Sequence, residues 1–79
     1  MKQIIFIQHA MDRLREREIS TELVIEVIRN PDRIDSANER KIAQKLIDGK
    51  LLRVIYEEEE AIVVVSAYRT SKVSRYLRD

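Results

Sequence analysis

The run Ala61–Ala67, AIVVVSA, constrains the fold of this chain more than any other stretch. Three of its seven residues are valine, and only Ser66 carries a polar side chain. Such a run is too short to span a bilayer, and its β-branched side chains disfavour a helix. It predicts a strand covered on both faces, set in the interior of a sheet. Directly after it come Tyr68, Arg69, Lys72, Arg75, Tyr76 and Arg78. A rigid strand that ends in cations and phenols is suited to holding a polyanion. The same residues also fit a solvated C-terminal tail, and composition alone does not separate the two.

A length of 79 residues predicts one domain, 1–79, with a small core. The absence of cysteine excludes a disulfide scaffold and a thiolate metal site. The opening MKQIIFIQHA has four consecutive apolar residues, fewer than a signal-peptide core needs. With 37% charged residues, one glycine and one proline, the chain is expected to be compact, soluble and cytoplasmic. Its net charge of +1 hides a segregation. Glu57–Glu60 is a block of four acids, whereas four cations face one acid between Tyr68 and Asp79. The overall balance excludes a histone-like, purely electrostatic binder and leaves room for a local nucleic-acid surface.

Along the chain, Lys2–Ile7 reads as a first strand. His9–Arg17 places Ala10, Met11 and Leu14 on one helical face and His9, Arg13, Glu16 and Arg17 on another. Ser20 and Thr21 start a second helix, which Asn30-Pro31 stops. Arg33–Ser36 carries a weak strand signal. Lys41–Ile47 and Lys50–Glu57 flank Asp48-Gly49 as a hairpin. A two-residue turn would put Gln44 and Arg53 among Ile42, Leu46, Leu51 and Ile55. A three-residue loop, Ile47–Gly49, puts Ile42, Gln44, Leu46, Leu52, Val54 and Tyr56 on one face with fewer charges inside, and is the register expected. Glu57–Glu60 reads as a solvated loop tip leading into the valine strand, and Thr70 or Ser71 as the start of a final helical turn. The expected fold is α+β, in the order β-α-α-β-β-β with a short C-terminal helix. Two N-terminal helices would pack on a curved antiparallel sheet of about four strands.

Two constellations carry possible chemistry. His9, Arg13 and Arg17, at i, i+4 and i+8, form one helix stripe. Transesterification of RNA needs such parts: a proton acceptor, a proton donor and cations for the phosphate. The competing reading pairs Arg13 and Arg17 with nearby glutamates on a solvated face. The second constellation is Tyr68, Arg69, Lys72, Arg75 and Tyr76, in which phenols stack bases and cations neutralise phosphates. A basic helix end anchored by Tyr76 fits the same spacing, and Tyr56 belongs either to this group or to the core. His9 is the only histidine, and the acids are consecutive, so no metal and no cofactor are expected. Phosphate-loop, nucleophile-elbow and dinucleotide motifs are absent.

The chain also resembles a known family. His9-Ala10-Met11-Asp12-Arg13-Leu14 with Arg17 and Ile19-Ser20, the Asn30-Pro31 stop, the Arg40–Val54 hairpin and Val63–Arg69 with Lys72 and Tyr76 are similar to the DUF4258 pattern. That family is in turn similar to RelE/ParE-type toxins of toxin–antitoxin systems. Ser66 stands where the pattern often has threonine, and keeps the hydroxyl. The resemblance implies a RelE-like fold and an endoribonuclease of the mRNA-interferase type, acting on RNA either free or on ribosomes, and restrained by an antitoxin. On that reading His9, Arg13, Arg69, Lys72 and Tyr76 would be catalytic, and Arg17, Arg53, Tyr68, Arg75 and Arg78 would bind nucleic acid. The alternatives are a non-catalytic module that binds nucleic acid or protein, and a homodimer formed through an open sheet edge.

Overall fold

The computed structural model describes residues 2–77. Its elements run β1 (Ile4–Phe6), α1 (Gln8–Glu16), α2 (Thr21–Arg29), β2 (Arg33–Ala37), β3 (Arg40–Ile47), β4 (Lys50–Glu58), β5 (Ile62–Thr70) and α3 (Val73–Leu77). The expected α+β order holds with one strand more. The sheet has five strands in the order β1-β5-β4-β3-β2, and it is mixed, because β1 lies parallel to β5. The weakly signalled strand β2 forms because its backbone pairs with β3 from Arg33 opposite Gln44 to Ala37 opposite Arg40.

Helix α1 buries Ala10 and Leu14, one turn apart. Its end is a Schellman turn, in which the Ile19 N–H donates to the Leu14 carbonyl at 2.9 Å and the Glu18 N–H to that of Arg15 at 3.3 Å. Glu18 takes the left-handed position usually filled by glycine, with φ 55°. Helix α2 begins at Ser20, whose Oγ accepts from the Leu23 N–H at 3.1 Å. Such a cap contributes about 1 kcal/mol. Buried Val24 and Val27 face the sheet, where Ala43, Leu52, Val54, Tyr56, Ile62, Val64 and Ala67 complete the core. Tyr56 thus belongs to the core, and burial pushes its hydroxyl above the ordinary value of 10.0.

The hairpin register differs from the one expected. Ile47 pairs with Lys50 and Gln44 with Arg53, so Asp48 and Gly49 alone form the turn. Both have positive φ, 51° and 79°, the signature of a type I′ connection. The three-residue register keeps the Arg53 charge off the apolar face, at the cost of leaving Gln44 on it. The structure instead buries Gln44 on the face opposite α1 and α2 and satisfies it with polar neighbours. A Cβ at Gly49 would meet nothing within 4 Å, so any penalty there is conformational. Gly49→Ala is expected to lower stability by about 1 kcal/mol in urea denaturation, and an unchanged midpoint would mean that the turn is not strained by a side chain.

Strand β5 is interior, yet only one of its faces is fully covered. Val64 and Ala67 are buried, whereas Val63, Val65 and Tyr68 on or near the other face are half-buried. Val65 is an extra residue, because Ile55 pairs with Ser66 and Tyr56 with Val64. The acidic block is likewise only half a loop. Glu57 and Glu58 end β4, where Glu57 meets Arg40 at 3.2 Å and Glu58 meets Lys41 at 2.9 Å and Lys2 at 3.2 Å. The hydrogen bond from Lys41, and then that from Lys2, hold the Glu58 carboxyl below its ordinary 4.5. A lowered folded-state value means that Glu58 stabilises the fold above its unfolded value and loses this contribution as pH falls through the folded one. Thermal melts between about pH 6 and pH 3 should therefore show a flatter acid limb for Glu58→Gln than for the parent chain. An unchanged limb would assign acid sensitivity to other carboxylates.

Candidate functional site

Residues directly opposite one another in a sheet share a face. Ala43, Val54 and Ala67 form such a row on the helix side. The next row, Arg33, Gln44, Arg53 and Tyr68, crosses β2, β3, β4 and β5 on the face opposite α1 and α2. It is joined by hydrogen bonds along its length. Arg33 Nε donates to Asp35 Oδ1 at 2.9 Å, and Gln44 Nε2 donates to Asp35 Oδ2 at 2.6 Å. Arg53 Nε donates to Gln44 Oε1 at 3.0 Å, while Arg53 Nη1 donates to the Tyr68 hydroxyl. Gln44 is 0% exposed, so both ends of its amide are matched where water does not reach.

Helix α3 closes the row from above. The Arg53 guanidinium carbon stands 3.8 Å from the centroid of the Tyr76 ring and 5.6 Å from that of Tyr68. Such cation–π contacts favour a fixed guanidinium orientation. A hydrogen bond with Arg75, then one with Tyr68 and the charges of Arg53 and Arg75, hold the Tyr76 hydroxyl below its ordinary value of 10.0. The Thr70 hydroxyl accepts from the Lys72 N–H at 3.1 Å and shapes the entry to α3. Lys72 and Arg75 are exposed on this segment. The result is a cationic group with two phenols, one of them eased towards phenolate, on a half-open sheet face.

The other residues singled out in the sequence are placed differently. Arg17 donates from Nη1 to the Ala67 carbonyl at 2.8 Å and to Ser66 Oγ at 3.3 Å. Arg69, on the helix side of the sheet, returns the contact by donating to the Arg17 carbonyl at 3.1 Å and that of Glu18 at 3.4 Å. The two arginines thus clasp the end of α1 to the part of β5 that lies beyond its pairing with β1. Arg13 pairs with Glu16 at 2.7 Å. His9 is exposed on the first turn of α1, in the layer that covers the opposite face of the sheet from Tyr68. Among the described residues, no hydrogen bond or ion pair joins His9 or Arg13 to the Arg53 group. Arg78 lies outside the described residues.

The structure therefore brings together Arg53, Tyr68, Tyr76 and Arg75, and separately Arg17 and Arg69. Asp35 and Gln44 were not singled out from the sequence. For Gln44 the signal is the two-residue Asp48-Gly49 turn, which by itself sets it opposite Arg53, whereas Asp35 is placed by the pairing of β2 with β3. Among the described residues, no three histidine or acidic side chains are gathered to hold a metal ion, and no helix is long and apolar enough to cross a membrane.

No curated protein and no solved structure matches the chain. Residues 6–69 match the family described as Domain of unknown function (DUF4258). The matched span runs from the end of β1 through nearly all of β5 and includes Asp35, Gln44, Arg53 and Tyr68, while α3 with Tyr76 lies beyond it. Because that span takes in well over half of the 79 residues, the chain belongs to the DUF4258 family.

Proposed function

We propose that this chain is a toxin-like, RNA-directed domain with a RelE/ParE-like fold, which holds a phosphodiester on the sheet face opposite α1 and α2 and cleaves it without a metal ion. The observation that carries the reading is the convergence of Arg53, Tyr68 and Tyr76, with Arg53 set against both rings. In the proposed reaction, Tyr76, eased towards phenolate, accepts the proton of a ribose 2′-hydroxyl. The freed oxygen attacks phosphorus, the bond to the 5′-oxygen breaks, and Lys72 supplies the proton to the leaving oxygen. The products are a 2′,3′-cyclic phosphate and a 5′-hydroxyl. Arg53 and Arg75 neutralise the charge on the pentavalent phosphate. A partner antitoxin, and RNA presented on a ribosome, belong to the same reading.

One arrangement favours a second reading, a binding module without catalysis. His9 stands in the opposite layer, and Arg17 and Arg69 are engaged with backbone carbonyls. Both readings require RNA affinity that falls with salt. For three phosphate contacts the slope of log K against log salt should be about −2. The deciding experiment incubates the protein with free RNA and with translating ribosomes under chelator, and examines the ends produced. Cyclic phosphate ends that disappear in Tyr76→Phe support the nuclease. Salt-dependent binding with intact RNA leaves the binding module, and the absence of both removes an RNA role.

A further inference from the structure

We propose that Asp35 and Gln44 are positioning residues, which hold the Arg53 guanidinium in the orientation that presents it to Tyr68, Tyr76 and a bound phosphate. The role in RNA recognition rests on the function proposed above, whereas the geometry does not. Arginine only donates hydrogen bonds and a carboxylate only accepts them. The Gln44 amide therefore has one workable orientation, with oxygen to Arg53 and nitrogen to Asp35. The second Asp35 oxygen is held by Arg33, so the carboxylate is anchored as well. The hydrogen bond from Arg33 first, aided by Gln44 and the charges of Arg33 and Arg53, keeps Asp35 ionised below its ordinary 3.8.

For packing alone, this buried position would suit leucine, and a buried amide is tolerated only when fully bonded. The chain of bonds determines the direction of Arg53 instead. A free arginine side chain samples many rotamers, and ordering it on binding opposes affinity. Here Nε and Nη1 are already tied, to Gln44 and Tyr68, which leaves Nη2 outside these bonds as the donor that the proposal assigns to an incoming anion. The groups that face the Tyr76 hydroxyl are Arg53 from β4, Tyr68 from β5 and Arg75 from α3 itself. Moving Arg53 removes one of the two cations that favour its phenolate.

The test compares the parent chain with Gln44→Leu, which keeps the volume and removes both bonds. Two measurements need no RNA: the Arg53 Nε–H resonance in nitrogen–proton spectra, assigned with Arg53→Lys, and tyrosinate absorbance against pH, with Tyr76→Phe to isolate Tyr76. In folded Gln44→Leu the resonance should lose its protection from exchange, and the Tyr76 ionisation should move upward, towards the ordinary phenol range. RNA affinity should fall about tenfold, as for loss of one charge-assisted hydrogen bond. Should Gln44→Leu not fold, Asp35→Asn, at a half-buried position, is read by the same two signals. Unchanged resonance and titration in a folded variant would overturn the proposal. If both signals move and the parent chain binds no RNA, the positioning role stands and the RNA reading falls.

Discussion

If the proposed RNA role holds, Arg53→Ala is expected to weaken RNA binding by about 100-fold, the largest functional loss that this reading assigns to any single substitution. Three effects act together. The substitution removes the cation that the proposal sets against phosphate, takes away the cation stacked on the Tyr76 ring, and deprives the Tyr68 hydroxyl of its Arg53 donor. It also leaves Gln44 Oε1 buried without its donor, at about 1–3 kcal/mol of stability. Binding must therefore be read by fluorescence anisotropy at a temperature where circular dichroism shows both proteins folded. Arg53→Lys is the informative control. Lysine keeps the charge and cannot reach Gln44 and Tyr68 with a planar fork, so its affinity should fall between the two. Wild-type affinity in Arg53→Ala would remove the proposed role of this face in RNA binding.

Leu52→Ala is expected to have the largest effect on stability, about 3 kcal/mol. Leu52 is 1% exposed in the middle of β4, packed in the cluster that joins the sheet to α1 and α2. Truncation opens a cavity between two rigid layers that have little freedom to collapse into it. A domain of this size has a total stability of roughly 4–12 kcal/mol, so a large share is removed. Leu46, on the same hairpin and 47% exposed, provides the comparison. Its alanine variant should stay within about 1 kcal/mol of the parent in urea denaturation. Equal losses at the two positions would contradict the assignment of faces.

That assignment is where sequence and structure diverge most instructively. The two helices were legible because their signals are local: Ser20 as a cap, Asn30-Pro31 as a stop, and apolar residues at helical spacing. The Asp48-Gly49 turn was equally local, but its register was overruled by an argument from charge burial. Arg53 counts against the two-residue register only as a charge without partners, and the sheet supplies those partners. Gln44 and Arg53 satisfy each other, and Asp35 and Tyr68 complete the set. Such mutual satisfaction depends on four strands being side by side, which no single segment encodes. The same reason explains the candidate site. Tyr68, Arg75 and Tyr76 lie close in sequence and were visible as a group, whereas Arg53 joins them only through the sheet. Arg17 and Arg69 were visible as cations, but that they would close on backbone carbonyls depends on where α1 ends against β5.

The parallel pairing of β1 with β5 bears on the order in which the chain assembles. Ile4 sits beside Ile62, so the first strand waits for the last before it finds its place. The antiparallel pairs β2–β3, β3–β4 and β4–β5 each join neighbours in sequence and incur only short loop closures. A nascent chain emerging from the ribosome is thus able to zip these hairpins in succession while β1 and the helices remain undocked. Only when β5 has formed do β1 and α1, which pack against it, find their places. The slow, topologically distant step then comes last, which makes the interval before it the one most exposed to proteolysis and aggregation during synthesis.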